Sequence, residues 1–250
     1  MKKLDPADYQ SVLRYIVPSA CGEVYPRSIA EGLQHGDIFT EEDAVLLWHH
    51  DGFAFLYGTC GEDFLEEICQ TFLHSTPERR FILFTDVPEI EQFFREKPGL
   101  LFGQRYHFTY PAGRPVPDES LPEGYTIRAF DSALFSSLQG RITPRFSWPD
   151  AASFLQNGMG YCIFCGEEPA SWAFSAAVSA EELDIGVETA ESYRHKGLAT
   201  LAAEAMLRYC LNEGKRPIWS CDVHNLGSQR IAEKAGFVRA STYTTIRADR

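Results

Sequence analysis

The residues of this 250-residue chain that read most directly as chemistry run from Arg194 to Thr200, in the order Arg194, His195, Lys196, Gly197, Leu198, Ala199, Thr200. They follow an alternating apolar run, Leu183-Asp184-Ile185-Gly186-Val187, and open a stretch with helical spacing. A strand that turns tightly into a helix leaves the helix's first N–H groups without intrahelical partners, with the positive end of the helix dipole behind them. Such a turn can cradle an anion, and a diphosphate is the natural guest. Gly197 and Ala199 keep the cradle floor bare, while Arg194 and Lys196 add positive charge.

A second pattern follows. An apolar strand, 217–223, leads to Asn225, a small residue three positions on (Ser228), and Gly236-Phe237 after one short helix. The first pattern matches R/Q-x-x-G-x-G/A through Arg194, Gly197 and Ala199. Together, in this order and separation, the two resemble the acetyl-CoA signature and closing motif of the GNAT superfamily of N-acetyltransferases. The resemblance implies a mixed α/β fold in which the fourth and fifth strands splay and the pantetheine arm of acetyl-CoA lies between them. On this chain the backbone of Val187, Glu188 and Thr189 would bond that arm. His195, Lys196, Gly197, Leu198, Ala199 and Thr200 would hold the diphosphate, with Arg194 opening the motif, and Asn225 and Ser228 would border the arm from the other side. The reaction implied is direct transfer of an acetyl group to a primary amine of a small molecule, with coenzyme A leaving.

The acid and base are less clearly marked. Many family members carry a Tyr seven residues after the Asn to protonate the departing thiolate, and here that position is Ala232. Tyr243 and Tyr193 are substitutes by residue type, with Tyr243 taken first; packing aromatics are the competing reading. Glu188 and Asp184 share one face of their strand by alternation, and Glu188 is the first candidate for a base, against a surface or structural carboxylate. A different class of reading is a catalytically silent acyl-CoA-binding or protein-interaction module on a GNAT scaffold. A third uses Cys221 and His224 as nucleophile and base.

These residues need elements to position them. Residues 123–247 read as a strand (125–130), two short helices (132–138 and 149–157), strands at 161–166, 170–178 and 183–189, a long helix at 198–213 stopped by Gly214, a strand at 218–223, a helix at 228–235, and last strands at 237–246. Leu198, Leu201, Ala202, Ala205 and Tyr209 form the stripe expected to seat the long helix on the sheet. That order matches the GNAT fold. Six Pro and Gly residues between positions 111 and 124 mark a linker. The expected organisation is an N-terminal α/β domain over 1–110, a linker over 111–122 and a GNAT domain over 123–250. Within the first domain, residues 1–20 read as a helix or helix-turn ended by Pro18, 21–36 as loop, and 44–50 with 53–58 as a hairpin turned by Asp51-Gly52. Helices near 63–73 and 89–97 alternate with strands at 80–85 and 106–110. This half resembles a degenerate copy of the GNAT fold without phosphate-turn glycines. The two-domain layout resembles a bacterial GNAT subgroup related to zwittermicin-type antibiotic-resistance acetyltransferases, which would imply an amino-sugar or peptide-like amine.

Composition bounds the rest. The net charge is −12, and residues 1–120 hold 10 Lys+Arg against 20 Asp+Glu, so most of the acidity belongs to the N-terminal half. With no basic stripe to neutralise phosphates, nucleic acid is not an expected partner; the acidity mildly favours cationic partners or substrates such as amines, against the simpler reading that it serves solubility. No apolar run approaches the ~20 residues of a membrane span, and none resembles a signal core, so a cytoplasmic location is expected. Seven cysteines scattered along the chain predict thiols, Cys162 and Cys165 included, and not a disulfide framework. His49 and His50 are neighbours on a strand and diverge to opposite faces, against a metal site. The N-terminal half is left as a substrate wall, a homodimer surface or a stabilising partner.

Overall fold

The computed structural model describes residues 1–75, 79–117 and 120–249. Its elements in chain order are β1 (Lys2–Lys3), a 3-10 helix (Pro6–Tyr15), α1 (Val24–Ala30), β2 (Gly36–Glu41), β3 (Ala44–His49), β4 (Phe53–Gly58), α2 (Glu62–Ile68) continued by a π turn (Cys69–Leu73), β5 (Ile82–Thr85), α3 (Pro88–Arg95) and β6 (Leu100–Thr109). They continue as β7 (Tyr125–Ala129), α4 (Ser132–Ser137), a 3-10 turn (Pro144–Phe146), α5 (Ala151–Asn157), β8 (Gly160–Cys165), β9 (Glu168–Val178) and β10 (Glu182–Thr189). A 3-10 turn (Glu191–Tyr193), α6 (Leu198–Asn212), β11 (Arg216–Asp222), α7 (Leu226–Ala235) and β12 (Val238–Ala248) complete the chain. The fold is mixed α/β, and the chain forms two compact units, one of Met1–His107 with the residues from Ala240 onward, the other of Phe108–Arg239.

In the first unit β2, β3 and β4 form an antiparallel meander, and β5 joins β4 in parallel through Phe53↔Ile82 to Phe55↔Phe84. Every residue of β3 is buried, which is why Ala44-Val45-Leu46-Leu47-Trp48 is a continuous apolar run without alternation. The Asp51-Gly52 turn forms as the sequence predicts, with only Gly52 at positive φ, 96°; a Cβ there would stand 2.5 Å from the Arg80 carbonyl oxygen. Fully buried His49 sets Nδ1 3.0 Å from Asp51 Oδ1, and burial lowers the pKa of His50.

One local expectation is refined here and one corrected. Within residues 1–20 the helical turn is a 3-10 helix over Pro6–Tyr15, with Asp5 accepting the Ala7 N–H at 2.9 Å. The 21–36 segment contains α1, which buries Val24, Tyr25, Pro26, Ser28, Ile29 and Ala30. A helix buried nearly all round has no polar face, so it leaves no helical period to find.

The C-terminal strand is the larger difference. The sequence carries 237–246 into the second domain, yet from Ala240 onward the chain belongs to the first unit. There β12 runs antiparallel to β5, with Thr244↔Thr85 and Ile246↔Leu83, and Ile246 is fully buried with Phe64, Leu83 and Phe94.

In the second unit β7, β8, β9 and β10 are successively antiparallel. β11 pairs with β10 in parallel. The strands and helices fall where the residue pattern places them, within a few residues. Helix α6 packs on β8, β9, β10 and β11, but its buried stripe is rotated from the expected one. Leu198, Leu201 and Ala202 are buried as expected, Ala205 and Tyr209 are half-buried, and Ala203, Met206, Leu207 and Cys210 take the interior. Gly214 closes the helix at φ 70°. The Pro/Gly-rich segment is fastened to this unit: Tyr110 Oη donates to Pro115 O at 3.1 Å and Arg208 Nη1 to Pro117 O at 2.7 Å. Positions 118 and 119 of the expected linker lie outside the described residues.

Candidate functional site

Strand β10 keeps β9 along its whole length, to Thr189↔Ser171. Its parallel pairing with β11 ends after three residue pairs, Glu182↔Arg216, Leu183↔Pro217 and Asp184↔Ile218. The register with β9 shifts between Asp184 and Ile185 at the same place, and a bulge bends a strand and re-aims its edge. Beyond it β10 and β11 no longer pair.

Backbone parity tells which groups face that opening. Ala190 N–H bonds the Ala170 carbonyl at 2.9 Å, and the Glu188 carbonyl accepts the Ser171 hydroxyl at 3.1 Å, so Ala190 and Glu188 point towards β9. Successive residues alternate, which turns the N–H and C=O of Val187 and Thr189 to the open edge. Of the three backbone positions singled out from sequence, Val187 and Thr189 present their groups to the gap, and Glu188 presents its side chain at the same level.

After Thr189 the chain makes the 3-10 turn and then two residues at positive φ, His195 at 64° and Gly197 at 79°. Gly197 is the N-cap of α6 and supplies no side-chain cap, and no acidic residue occupies the helix's first turn. Thr200 N–H bonds the Gly197 carbonyl at 3.0 Å. The N–H groups of His195, Lys196, Gly197, Leu198 and Ala199 have no hydrogen-bond partner among the described residues. Gly197 is required for its backbone angle and not for space, since a Cβ there would meet nothing within 4 Å. Leu198 and Thr200, both buried, root the turn, while His195, Lys196 and Gly197 are exposed.

Side chains brace this cradle from behind. Arg194 Nε donates to the Thr189 carbonyl at 3.4 Å. Tyr193 donates to Glu168 Oε2 at 2.6 Å, tying the turn to the β8–β9 hairpin, and that hydrogen bond holds the Tyr193 phenol above its ordinary pKa. Lys196 Nζ lies 5.0 Å from the centre of the Tyr193 ring.

Asn225 and Ser228 mark the start of α7. Asn225 Oδ1 accepts the Ser228 N–H at 3.0 Å as the helix N-cap, and Ser228 Oγ accepts Trp219 Nε1–H from β11 at 2.9 Å. Ala232, the position at which the family resemblance led us to expect Tyr, is fully buried. Tyr243 belongs to the first unit, where it is buried, accepts Arg105 Nε–H at 3.2 Å and packs 5.2 Å from the Phe84 ring. Cys221 is buried and His224 exposed. Burial pushes the Cys162 thiol up to about 12.

One part of the site escaped sequence reasoning. Glu188 Oε2 accepts the N–H of Ile142 at 2.6 Å, and Trp172 donates to the Ile142 carbonyl at 2.7 Å. The pairing of Trp172 with Glu188 depends on the register after the β9–β10 shift, for which the sequence carries no local signal.

The sequence profile of the GNAT acetyltransferase family matches residues 22–246. A Bacillus subtilis protein named uncharacterized N-acetyltransferase YdfB is 24% identical over 249 residues, covering 97% of this chain and 90% of that protein. A crystal structure of a GCN5-related N-acetyltransferase-like protein from Streptococcus suis superposes with a TM-score of 0.74 at 23% identity, covering 98% of this chain and all (100%) of that one. A GCN5-related N-acetyltransferase from Sphaerobacter thermophilus gives a TM-score of 0.63 at 16% identity, covering 100% of this chain and 95% of its own. The profile takes in the acidic first unit as well as the cradle, so it is the chain as a whole, and not a motif within it, that belongs to the GNAT acetyltransferase family.

Proposed function

We propose that this protein transfers the acetyl group of acetyl-CoA directly to a primary amine of a small molecule, in the cytoplasm. The observation that carries the reading is the opening between β10 and β11 beside a helix start with unpartnered N–H groups. The residues fit the donor. Val187 and Thr189 offer backbone donors and acceptors along the gap, matching the amides of a pantetheine arm. The N–H groups of His195, Lys196, Gly197, Leu198 and Ala199 fit a diphosphate, Thr200 closes the turn, and Arg194 and Lys196 add positive charge. Asn225 and Ser228 stand at the head of the helix that follows β11.

Acetyl-CoA supplies the thioester. The chain contributes binding and orientation, which convert a bimolecular encounter into a positioned one, and backbone donors at the gap suited to polarising the carbonyl. An amine that reaches the site neutral needs no dedicated base. The acidity of residues 1–120 mildly favours a cationic acceptor such as an amine, and the subgroup resemblance, drawn from the sequence alone, would suggest an amino-sugar or peptide-like one. No helix among the described residues is long and apolar enough to cross a membrane. The buried Ala232 in place of a proton-donating Tyr favours a second reading, a catalytically silent acyl-CoA-binding module.

Thermal unfolding with acetyl-CoA titrated from micromolar to millimolar tests donor binding. A ligand that binds only the folded state adds roughly 2.7 kcal/mol at about 100 times its Kd. The expected result is a saturable rise in Tm that Ala199→Asp removes. That substitution places a negative charge in the first turn of α6, where it favours the helix and repels a diphosphate. No rise at millimolar acetyl-CoA sinks the proposal. Coenzyme A release with a panel of amines then separates the enzyme from the silent module.

A further inference from the structure

Glu188 stands on β10 past the last pair that joins it to β11, Asp184↔Ile218, and its carboxylate is already engaged. Oε2 accepts the Ile142 N–H at 2.6 Å, while its cross-strand neighbour Trp172 donates Nε1–H to the carbonyl of the same Ile142 at 2.7 Å. Two side chains paired across β9 and β10 thus satisfy both backbone groups of one loop residue. Gly140 passes so close that a Cβ would stand 2.6 Å from Glu188 Oε2 and 2.7 Å from Trp172 Cζ2. Residues 138–143 lie between α4 and the 3-10 turn, outside any helix or strand. Arg145 Nη2 donates to Leu138 O at 2.7 Å, bracing this stretch from its far side. Leu138 and Thr143 anchor the two ends of the stretch by burial, and at its middle Glu188 and Trp172 fasten Ile142 to the open end of β10.

We infer that Glu188 is a positioning residue, whose carboxylate clamps the 138–143 loop against the splayed end of β10 as a fixed wall on the acceptor side, and is not the base that deprotonates the amine. The inference rests on the acetyltransferase reading for what the wall does, and on geometry alone for the clamp. A clamp needs an acceptor atom and no proton transfer, so an amide oxygen in the same place serves. A base needs the carboxylate itself.

The test compares Glu188→Gln, Glu188→Ala and Gly140→Ala in the full chain, by amide hydrogen exchange of peptides spanning 138–147 and by steady-state coenzyme A release. Glu188→Gln is expected to keep the loop protected, the acceptor KM within about threefold and the pH profile of kcat/KM unchanged. Glu188→Ala should expose the loop and raise the acceptor KM roughly tenfold or more with a smaller change in kcat, as expected when a half-buried charge-assisted hydrogen bond is lost. It should also keep the Tm rise with acetyl-CoA. Gly140→Ala should follow Glu188→Ala. The clamp is overturned if Glu188→Gln is as impaired as Glu188→Ala with its pH profile altered, or if Glu188→Ala leaves loop exchange unchanged. A wild-type protein that acetylates no amine overturns the acetyltransferase reading, and the exchange pattern still decides the clamp.

Discussion

At the scale of single residues, the candidate site depends on backbone conformation more than on charged side chains. Gly197 holds φ 79° where there is room for a Cβ, so Gly197→Ala should cost about 1 kcal/mol of stability through backbone strain alone. Ala199→Asp should cost none, and urea unfolding of the two variants checks the contrast. A second residue-scale effect lies in the first unit. Burial pushes the His107 imidazole down to about 4 from its usual 6.5. Between those values the unfolded chain binds the proton and the folded chain does not. The stability from keeping His107 neutral is therefore complete above pH 6.5 and lost as pH falls towards 4, by about 3 kcal/mol. Unfolding free energies at pH 7 and pH 4.5 should show the loss, and His107→Gln should flatten it.

Among the elements, α7 shows how a motif residue can carry a structural task. Asn225 is the closing-motif Asn, and its side chain caps the helix through Ser228 N–H, while Ser228 Oγ takes the indole N–H of buried Trp219. Asn225→Ala should lower stability by about 1 kcal/mol, the usual cost of a lost N-cap, and Asn225→Asp should restore most of it. Chemical denaturation measures both. If Asn225→Ala also weakens acetyl-CoA binding while Asn225→Asp does not, helix placement is what the cofactor side requires of this residue. Strand β10 makes the complementary point. Its two edges differ because β9 pairs with it throughout whereas β11 leaves after Asp184, and that asymmetry makes the gap.

Across the whole molecule, the C-terminal residues belong to the unit built by the N-terminal half. Ending the chain at Arg239 removes one of the two strands paired with β5, leaving β4, and takes away the fully buried Ile246. The expected result is rapid hydrogen exchange in β5 and loss of cooperative unfolding in the first unit, while peptides from β8 and β9 stay protected. For the same reason a fragment ending at residue 110 should not fold by itself. Equal protection of β5 in the truncated and full chains would contradict this. The family profile, which runs through both halves to residue 246, is consistent with a unit completed by distant chain segments.

What the sequence determined is local. Arg194, Gly197 and Ala199 at fixed spacing after an alternating run specify strand, turn and helix start, because positive φ, small side chains and helical period are written in residue types. The same holds for Asn225 with Gly236-Phe237, and for the order of elements in the second unit. Tertiary structure decided whatever depends on partners far along the chain. Register after the β9–β10 shift brought Trp172 and Glu188 to Ile142, and pairing with β5 moved β12 and Tyr243 into the first unit. Burial on all sides hid α1, and packing on four strands rotated the inner face of α6. Strand pairing and burial join residues through space with no short-range signature, whereas a turn's angles are set by the residues that make it.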